Sequence, residues 1–253
     1  MKFSIIIPSF DQHEYISETL ENLKILKETA REKNILVELL LFDNCSDKKV
    51  QLIIEKYHVV LDYVESKKDL GQYDAINKGI PMVSGDYWTW LNTDDLINVD
   101  GFLKINQILE LHSEIDYIYG GIKYIDRVGK FITDIQARPL TIKSMVHFNP
   151  SIFQPGSFFK TSFTKHIGKL KEYRCCFDYD YVLRCLKNNG VFYQCNFPVA
   201  SFRYHRDSKT VRMIPVFIKE QLQISADYGR KAFSFLTWFS YLRLLKHKLF
   251  PRK

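Results

Sequence analysis

Three apolar runs in the first hundred residues each stop at a cluster of polar and acidic side chains. That repeat limits the fold more than any other feature of the chain. Residues 3–7 run into Pro8-Ser9-Phe10-Asp11, residues 35–42 into Asp43-Asn44-Cys45-Ser46-Asp47, and residues 87–91 into Asn92-Thr93-Asp94-Asp95. Short, continuously apolar runs of this kind read as strands buried on both faces. Between them the period becomes helical, with Tyr15, Ile16, Leu20, Leu23 and Leu26 recurring across residues 13–30. Ser46 offers an N-cap for a helix reaching about residue 56, residues 59–64 predict a further strand, and residues 73–82 a further helix. Strands alternating with helices at this pace predict an α/β fold with a mostly parallel central sheet. In open sheets of that kind ligands sit at the carboxyl ends of the strands, where these acids fall.

After residue 100 the pattern changes. Residues 101–112 predict a helix, and 117–124 and 130–135 predict strands joined by a turn at Val128-Gly129. An aromatic segment, 151–160, is interrupted by Pro155-Gly156. Residues 179–188 predict a helix closed by Gly190, 191–197 a strand, and 215–228 and 232–249 two final helices. The chain has no internal repeat, low-complexity tract or Gly/Ser linker. The expected organisation is one body of two halves, 1–100 and 101–225, with a helical tail over 226–253.

Apolar residues at 46% and aromatics at 15% suffice for a packed core and exclude intrinsic disorder. The net charge of +7 is uneven. Residues 231–253 hold Lys231, Arg243, Lys246, Lys248, Arg252 and Lys253 and no acid, leaving 30 cations against 29 acids elsewhere. A nearly neutral body argues against nucleic acid as a partner. Five cysteines without a Cys-x-x-Cys pair argue against a zinc site or a disulfide framework and suit a reducing compartment. No stretch reaches the ~18 apolar residues of a spanning helix, and the opening run is too short for a signal peptide. The expected location is the cytoplasm.

Carboxylates gathered at one sheet edge repel each other unless a cation joins them. Oxygen ligands without a nearby His or Cys pair suit magnesium or manganese, which keep several waters and bind a substrate diphosphate.

In order, these segments resemble the family 2 glycosyltransferases, which have the GT-A fold. The family's first strand ends in Pro-[Ser/Thr]-[Tyr/Phe]-Asn, matched by Pro8-Ser9-Phe10-Asp11 with Asp for the usual Asn. Its second strand runs from Glu into Asp-[Asp/Asn]-x-Ser-x-Asp, matched by Glu38 and then Asp43-Asn44-Cys45-Ser46-Asp47. Gly71, Ala75, Asn77 and Gly79 match a later element, and Gly85-Asp86-Tyr87 leads into Asn92-Thr93-Asp94-Asp95, with Asn92 replacing the first Asp of the family's metal motif. The likeness is dense over residues 3–100 and thinner over 150–210.

The resemblance implies roles. Asp43 would accept a hydrogen bond from a pyrimidine base, which favours uracil, and Pro8, Ser9, Asp11, Gly71, Asn92 and Thr93 would complete the nucleotide pocket. Asp94 would ligate a divalent metal, Mn2+ or Mg2+, with Asp95 and His205 beside it. Arg203, Arg206 and Lys209 would contact the diphosphate. Asp178 would be the general base, in a segment where Phe177 stands in place of the frequent Glu. Helix geometry separates two acids there: Asp180 and Arg184, four apart, share a face, while Asp178 at the helix entrance is free for a ligand.

The expected function is metal-dependent, inverting transfer of a sugar from a nucleotide-diphosphate donor, UDP-linked, to a saccharide acceptor. The alternative, favoured by Phe177 and Asn92, is a catalytically silent nucleotide-sugar-binding or scaffold subunit. A sugar-1-phosphate nucleotidyltransferase is disfavoured, because the loop after the first strand has neither Gly nor a cation. In the tail, Phe235, Trp238, Phe239, Leu242, Leu245 and Leu249 form an apolar helical stripe beside basic residues. That pattern suits the anionic inner face of a membrane and, with it, a lipid-linked saccharide for a cell-surface polysaccharide. The competing expectation is a stripe packed on the body or on a second subunit of a homo-oligomer.

Overall fold

The computed structural model describes residues 1–148, 152–205 and 208–249. The first half alternates as its periodicities predict: β1 (Lys2–Ser9), α1 (Ile16–Glu32), β2 (Leu36–Asp43), α2 (Lys48–Lys56), β3 (Tyr63–Ser66), α3 (Gln72–Gly79) and β4 (Tyr87–Trp90). β2 and β4 flank β1 in parallel, and β3 continues the parallel set outside β2. The pleat sends Phe3, Ile5 and Ile7 into one layer with Leu20, Leu23 and Val50 of α1 and α2. It sends Ile6 into the other, against Ile76 of α3 and the rings of Trp88 and Trp90.

Two boundaries differ from expectation for a local reason. The third strand starts at Tyr63 and not at residue 59, because residues 57–60 are the turn that closes α2, and Val59 there is 93% exposed. Helix α2 is capped by Asp47, whose side chain accepts the Val50 N–H at 3.0 Å, and not by Ser46. The backbone N–H and hydroxyl of Ser46 are both turned toward Asp43.

The second half adds β5 (Leu96–Ile97), α4 (Val99–Leu111), β6 (Tyr117–Ile125), β7 (Phe131–Ile135), α5 (Ile142–His147), β8 (Ser157–Lys160), α6 (Thr161–Ile167) and α7 (Phe177–Lys187). After these come β9 (Phe192–Arg203), α8 (Lys209–Arg212), α9 (Ile214–Asp227) and α10 (Phe235–Leu249). β8 joins the halves by pairing antiparallel with both β4 and β6. The sheet runs β3-β2-β1-β4-β8-β6-β9-β5, with β7 on β6, so its parallel part is the first half and its second half is mixed.

The strand expected to end at residue 197 runs on through Pro198 to Arg203. Proline lacks a ladder donor and is tolerated where the pairing is irregular. Here the register with β6 shifts on both sides of Gly121. A Cβ on the neighbouring Gly120 would lie 2.5 Å from Val199 Cγ2, so only glycine admits the bulged strand. The continuation carries Arg203 and His205 under the strand-end loops.

α10 has two faces. Leu236 and Ser240 are buried against the body, while Phe235, Trp238, Leu242, Leu245 and Leu249 stand exposed. The competing expectation, a stripe packed on the body, therefore does not hold for those five residues. No helix among the described residues is long and apolar enough to cross a membrane.

Candidate active site

A cavity of about 1100 Å³ opens over the carboxyl ends of β1, β2 and β4. Pro8, Ser9, Asp11, Asn44, Gly71, Asn92, Thr93 and Asp94 line it, together with Gln154, Asp178, Lys209 and Phe217 from the second half. The chain thus brings most of the expected nucleotide-side residues and Asp178 to one cavity.

Asp43 is the exception among the nucleotide-side residues. It is buried and does not line the cavity. Its Oδ1 accepts the hydroxyls of Ser9 at 3.0 Å and of Ser46, and its Oδ2 accepts the Ser46 N–H at 2.9 Å, Gln51 Nε2 at 2.6 Å and the Ser66 hydroxyl at 2.8 Å. Five donors fill the lone pairs of one carboxylate. With these donors the residue binds the ends of β1, β2 and β3 to one another. Asn44, one step along, faces the cavity instead. Asp11 makes a second tie. Its N–H donates to Ser46 Oγ and its Oδ1 accepts the Asp47 N–H, both at 2.9 Å. Its φ of 49° places it in the left-handed region that Asp tolerates better than most residues. Gly71 has φ 123°, open to glycine almost alone, and its N–H donates to Asp69 Oδ1 at 2.8 Å.

At the end of β4 two adjacent acids diverge. Asp94 lines the cavity, and its Oδ2 lies 2.9 Å from His205 Nε2. Asp95 is buried away from it, where Oδ2 accepts from Asn92 Nδ2 at 3.1 Å and Oδ1 from the Arg203 N–H at 3.1 Å. Burial, and then the charge of Asp94, hold the Asp95 carboxyl well above the usual carboxylate range. Of the two adjacent acids, Asp94 is the one that lines the cavity, and Asp95 is engaged by Asn92 and Arg203. Arg203 is engaged as well. Its guanidinium is fully buried, donating to Glu18 at 2.6 Å and to the Asp94 carbonyl at 3.0 Å, and lying over the Tyr15 ring at 5.0 Å. Its charge braces the loop from below and does not reach a diphosphate. Lys209 does face the cavity, where its Nζ donates to Gln72 Oε1 at 2.9 Å. Arg206 lies outside the described residues.

Asp178, which also lines the cavity, sits in the first turn of α7 and accepts the Tyr179 N–H at 2.7 Å. Desolvation pushes its carboxyl up to about 6, with the nearby charge of Glu220 adding to the rise and the Tyr179 N–H opposing it. Asp180 is held as its spacing predicts. It is buried, pairing with Arg184 Nε at 2.8 Å and Lys171 Nζ at 3.0 Å. Glu220 of α9 shapes the entrance by accepting the N–H groups of Arg174, Cys175 and Cys176 at 2.9, 2.9 and 3.0 Å. Nothing local in the sequence marks Glu220 for that task. Asp69 was recognisable, since an Asp two residues before a Gly signals a side-chain-closed turn. In the aromatic segment 151–160, the rings of Phe158 and Phe159 are core.

Among the described residues no three His, Cys, Asp or Glu side chains converge to hold a metal by themselves. Magnesium-type ions need less, one or two protein ligands with substrate phosphates and water completing the shell. At the end of β4, Asp94 is the carboxylate that lines the cavity, with its Oδ2 hydrogen-bonded to His205 Nε2 at 2.9 Å, so Asp94 is placed to serve as such a ligand with His205 beside it.

The model of the family described as Glycosyl transferase family 2 matches residues 4–177. An uncharacterized glycosyltransferase of Methanocaldococcus jannaschii is 21% identical over 196 residues, which cover 75% of this chain and 66% of that protein. The poly(ribitol-phosphate) beta-N-acetylglucosaminyltransferase TarS of Staphylococcus aureus is 29% identical over 115 residues, covering 44% of this chain and 19% of TarS. The chain thus spans just under two thirds of the archaeal relative and a fifth of TarS. Among solved structures, S. aureus TarS 1–349 in complex with UDP-GlcNAc matches with a TM-score of 0.70 at 18% identity, over 99% of this chain and 73% of that one. A mannosyltransferase from Pyrobaculum calidifontis in complex with GDP-Man and Mn2+ matches with a TM-score of 0.65 at 11% identity, over 99% and 76%.

Proposed function

The chain belongs to glycosyl transferase family 2 and has the GT-A fold, and from that premise we propose that it transfers a sugar, with inversion, from a UDP-linked donor to a saccharide hydroxyl. One observation carries the reading. Asp94 and Asp178 line a single cavity, one hydrogen-bonded to His205, the other raised to about 6.

The donor lies along the loop from Pro8 to Tyr15, with Asn44, Asp69 and Gly71 closing the nucleoside end. Lys209 faces the same space with a charge suited to phosphate oxygens. Asp94, with His205 beside it, would hold a divalent cation, Mn2+ or Mg2+, which when bound would neutralise charge on the leaving diphosphate. Asp178 takes the proton of the acceptor hydroxyl. The freed oxygen pair forms the new bond to the anomeric carbon, and the carbon–oxygen bond to the diphosphate breaks with its electrons leaving on UDP. A base whose pKa lies near the working pH is charged enough to accept the proton and basic enough to help, worth ~10²–10⁴-fold. Trp90 and the apolar wall around Phe153 and Phe177 keep bulk water from the attacking oxygen.

Purified protein with manganese and a panel of UDP-linked sugars tests the reading. It releases UDP with at least one of them when a saccharide acceptor is present. Asp94→Asn, which removes a charge at constant volume, abolishes release and metal-dependent UDP binding while the melting temperature holds. Wild-type release by this variant, or by the parent in excess chelator, contradicts the assignment.

A further inference from the structure

Beyond the cavity, a second groove of about 360 Å³ lies where α5 meets the segment entering α10. Its lining includes Lys143, His147, Phe148, Lys231, Phe233 and Phe235, and no carboxylate. Phe233 is wholly exposed, Phe148 is half exposed, and the rings of Phe148 and Phe235 stand 6.5 Å apart. The groove runs directly into the outward face of α10, where Phe235, Trp238, Leu242, Leu245 and Leu249 recur every three or four residues without cover. Cations and exposed apolar rings therefore share one continuous surface.

The charge on this surface is one-sided. Residues 138–148 and 228–249 hold seven Lys and Arg and no acid, and the other 29 cations of the chain match its 29 acids. Of those seven, Lys143 and Lys231 line the groove and Lys246 and Lys248 stand exposed on α10, while Arg230 and Arg243 turn to the body. A second copy of the chain is a poor occupant. A helix pair on this stripe flanks its seam with Phe239, Tyr241, Lys246 and Lys248, so like charges meet and no acid answers them. An anionic, amphiphilic surface satisfies both features at once.

We propose that the α5–α10 groove and the outward face of α10 dock on an anionic lipid bilayer, and that this face adjoins the acceptor side of the cavity. Two observations tie them. Phe148 borders the groove and Ile152 lines the cavity, and four residues of chain reach at most ~14 Å. Phe217 of α9 lines the cavity and carries Arg243 of α10 over its ring at 5.6 Å. A docked molecule holds its acceptor wall near the lipid surface, which suits a saccharide carried on lipid; that last step rests on the proposed transferase reading, whereas the docking does not.

Flotation of the full chain with vesicles of phosphatidylcholine alone, and of phosphatidylcholine with phosphatidylglycerol, tests the docking. Manganese-dependent UDP binding is measured on the same samples. The chain floats with the anionic vesicles at low salt, stays behind with the neutral ones, and is released by high salt. Trp238→Glu with Leu245→Glu lowers partitioning at least ~10-fold. Lys246→Glu with Lys248→Glu lowers it about fivefold per lysine or more. All four positions are exposed, so UDP binding and melting temperature stay at parental values. Three results overturn the docking: a parent that ignores anionic vesicles while binding UDP, variants that float like the parent, or a parent that forms dimers which the same substitutions dissolve. Flotation without any UDP binding leaves the docking standing and removes the transferase reading.

Discussion

At the strand ends of the first half, Asp11 and Asp43 accept hydrogen bonds from neighbouring segments, whereas at the entrance of α7 Asp178 accepts only backbone N–H from its own turn. The first two hold the strand-end loops of the cavity in shape. Asp178 is desolvated with no side chain donating to it, and its carboxyl rises to about 6. The contrast repeats two residues along α7, where Asp180 is buried deeper than Asp178 and yet holds two cations. What an acid does in this molecule follows from the donors that surround it, not from its place in a motif.

That comparison breaks most visibly at Asp180. Asp180→Ala leaves Arg184 and Lys171 without their carboxylate and is expected to cost about 3–5 kcal/mol of stability. Denaturant unfolding measures it, and a variant as stable as the parent makes the pair ornamental.

A smaller effect is expected at Asp43. Asparagine keeps one acceptor oxygen but turns an NH2 group toward donors, at a cost of about 1–3 kcal/mol. Because Asp43 ties three strand ends together, UDP affinity falls with it, although the residue does not face the cavity. Calorimetric titration of the folded variant with UDP measures this. Full affinity separates the loop ties from donor binding.

Asp178 has the opposite sign in stability. Below about pH 4 its carboxyl is protonated in the folded and the unfolded chain alike. Between pH 4 and 6 the unfolded chain ionises first, so stability drains as pH rises and the whole penalty is present above 6. Asp178→Asn escapes it and is expected to be more stable at pH 7.5 by about 1–3 kcal/mol. A gain at pH 7.5 that vanishes at pH 4 is the signature in thermal melts.

The division between Asp178 and Asp180 was legible in the sequence because it rests on helical spacing of four residues. The strands of the first half were legible for the same kind of reason, a local period. The family resemblance drawn from those motifs agrees with the family match over residues 4–177. The fates of Asp43, Asp95 and Arg203 were not legible. Arg203 meets Asp95 and Glu18 across 108 and 185 residues, and no local pattern records such a meeting. The length of β9 was hidden by Pro198, whose tolerance depends on glycines in a different strand. The open face of α10 was visible as a stripe, but which residues the body covers is decided by α9 and α5.

The most direct test of the account is the pH dependence of the transfer rate at saturating donor, for the parent and Asp178→Asn. The parent is expected to lose rate about tenfold per pH unit below about 6, as Asp178 takes up its proton. The variant is expected to fall ~10²–10⁴-fold at pH 7.5, to lose that acid limb, and to keep its UDP affinity. A variant that transfers at the parental rate with the same acid limb contradicts the assignment of the base.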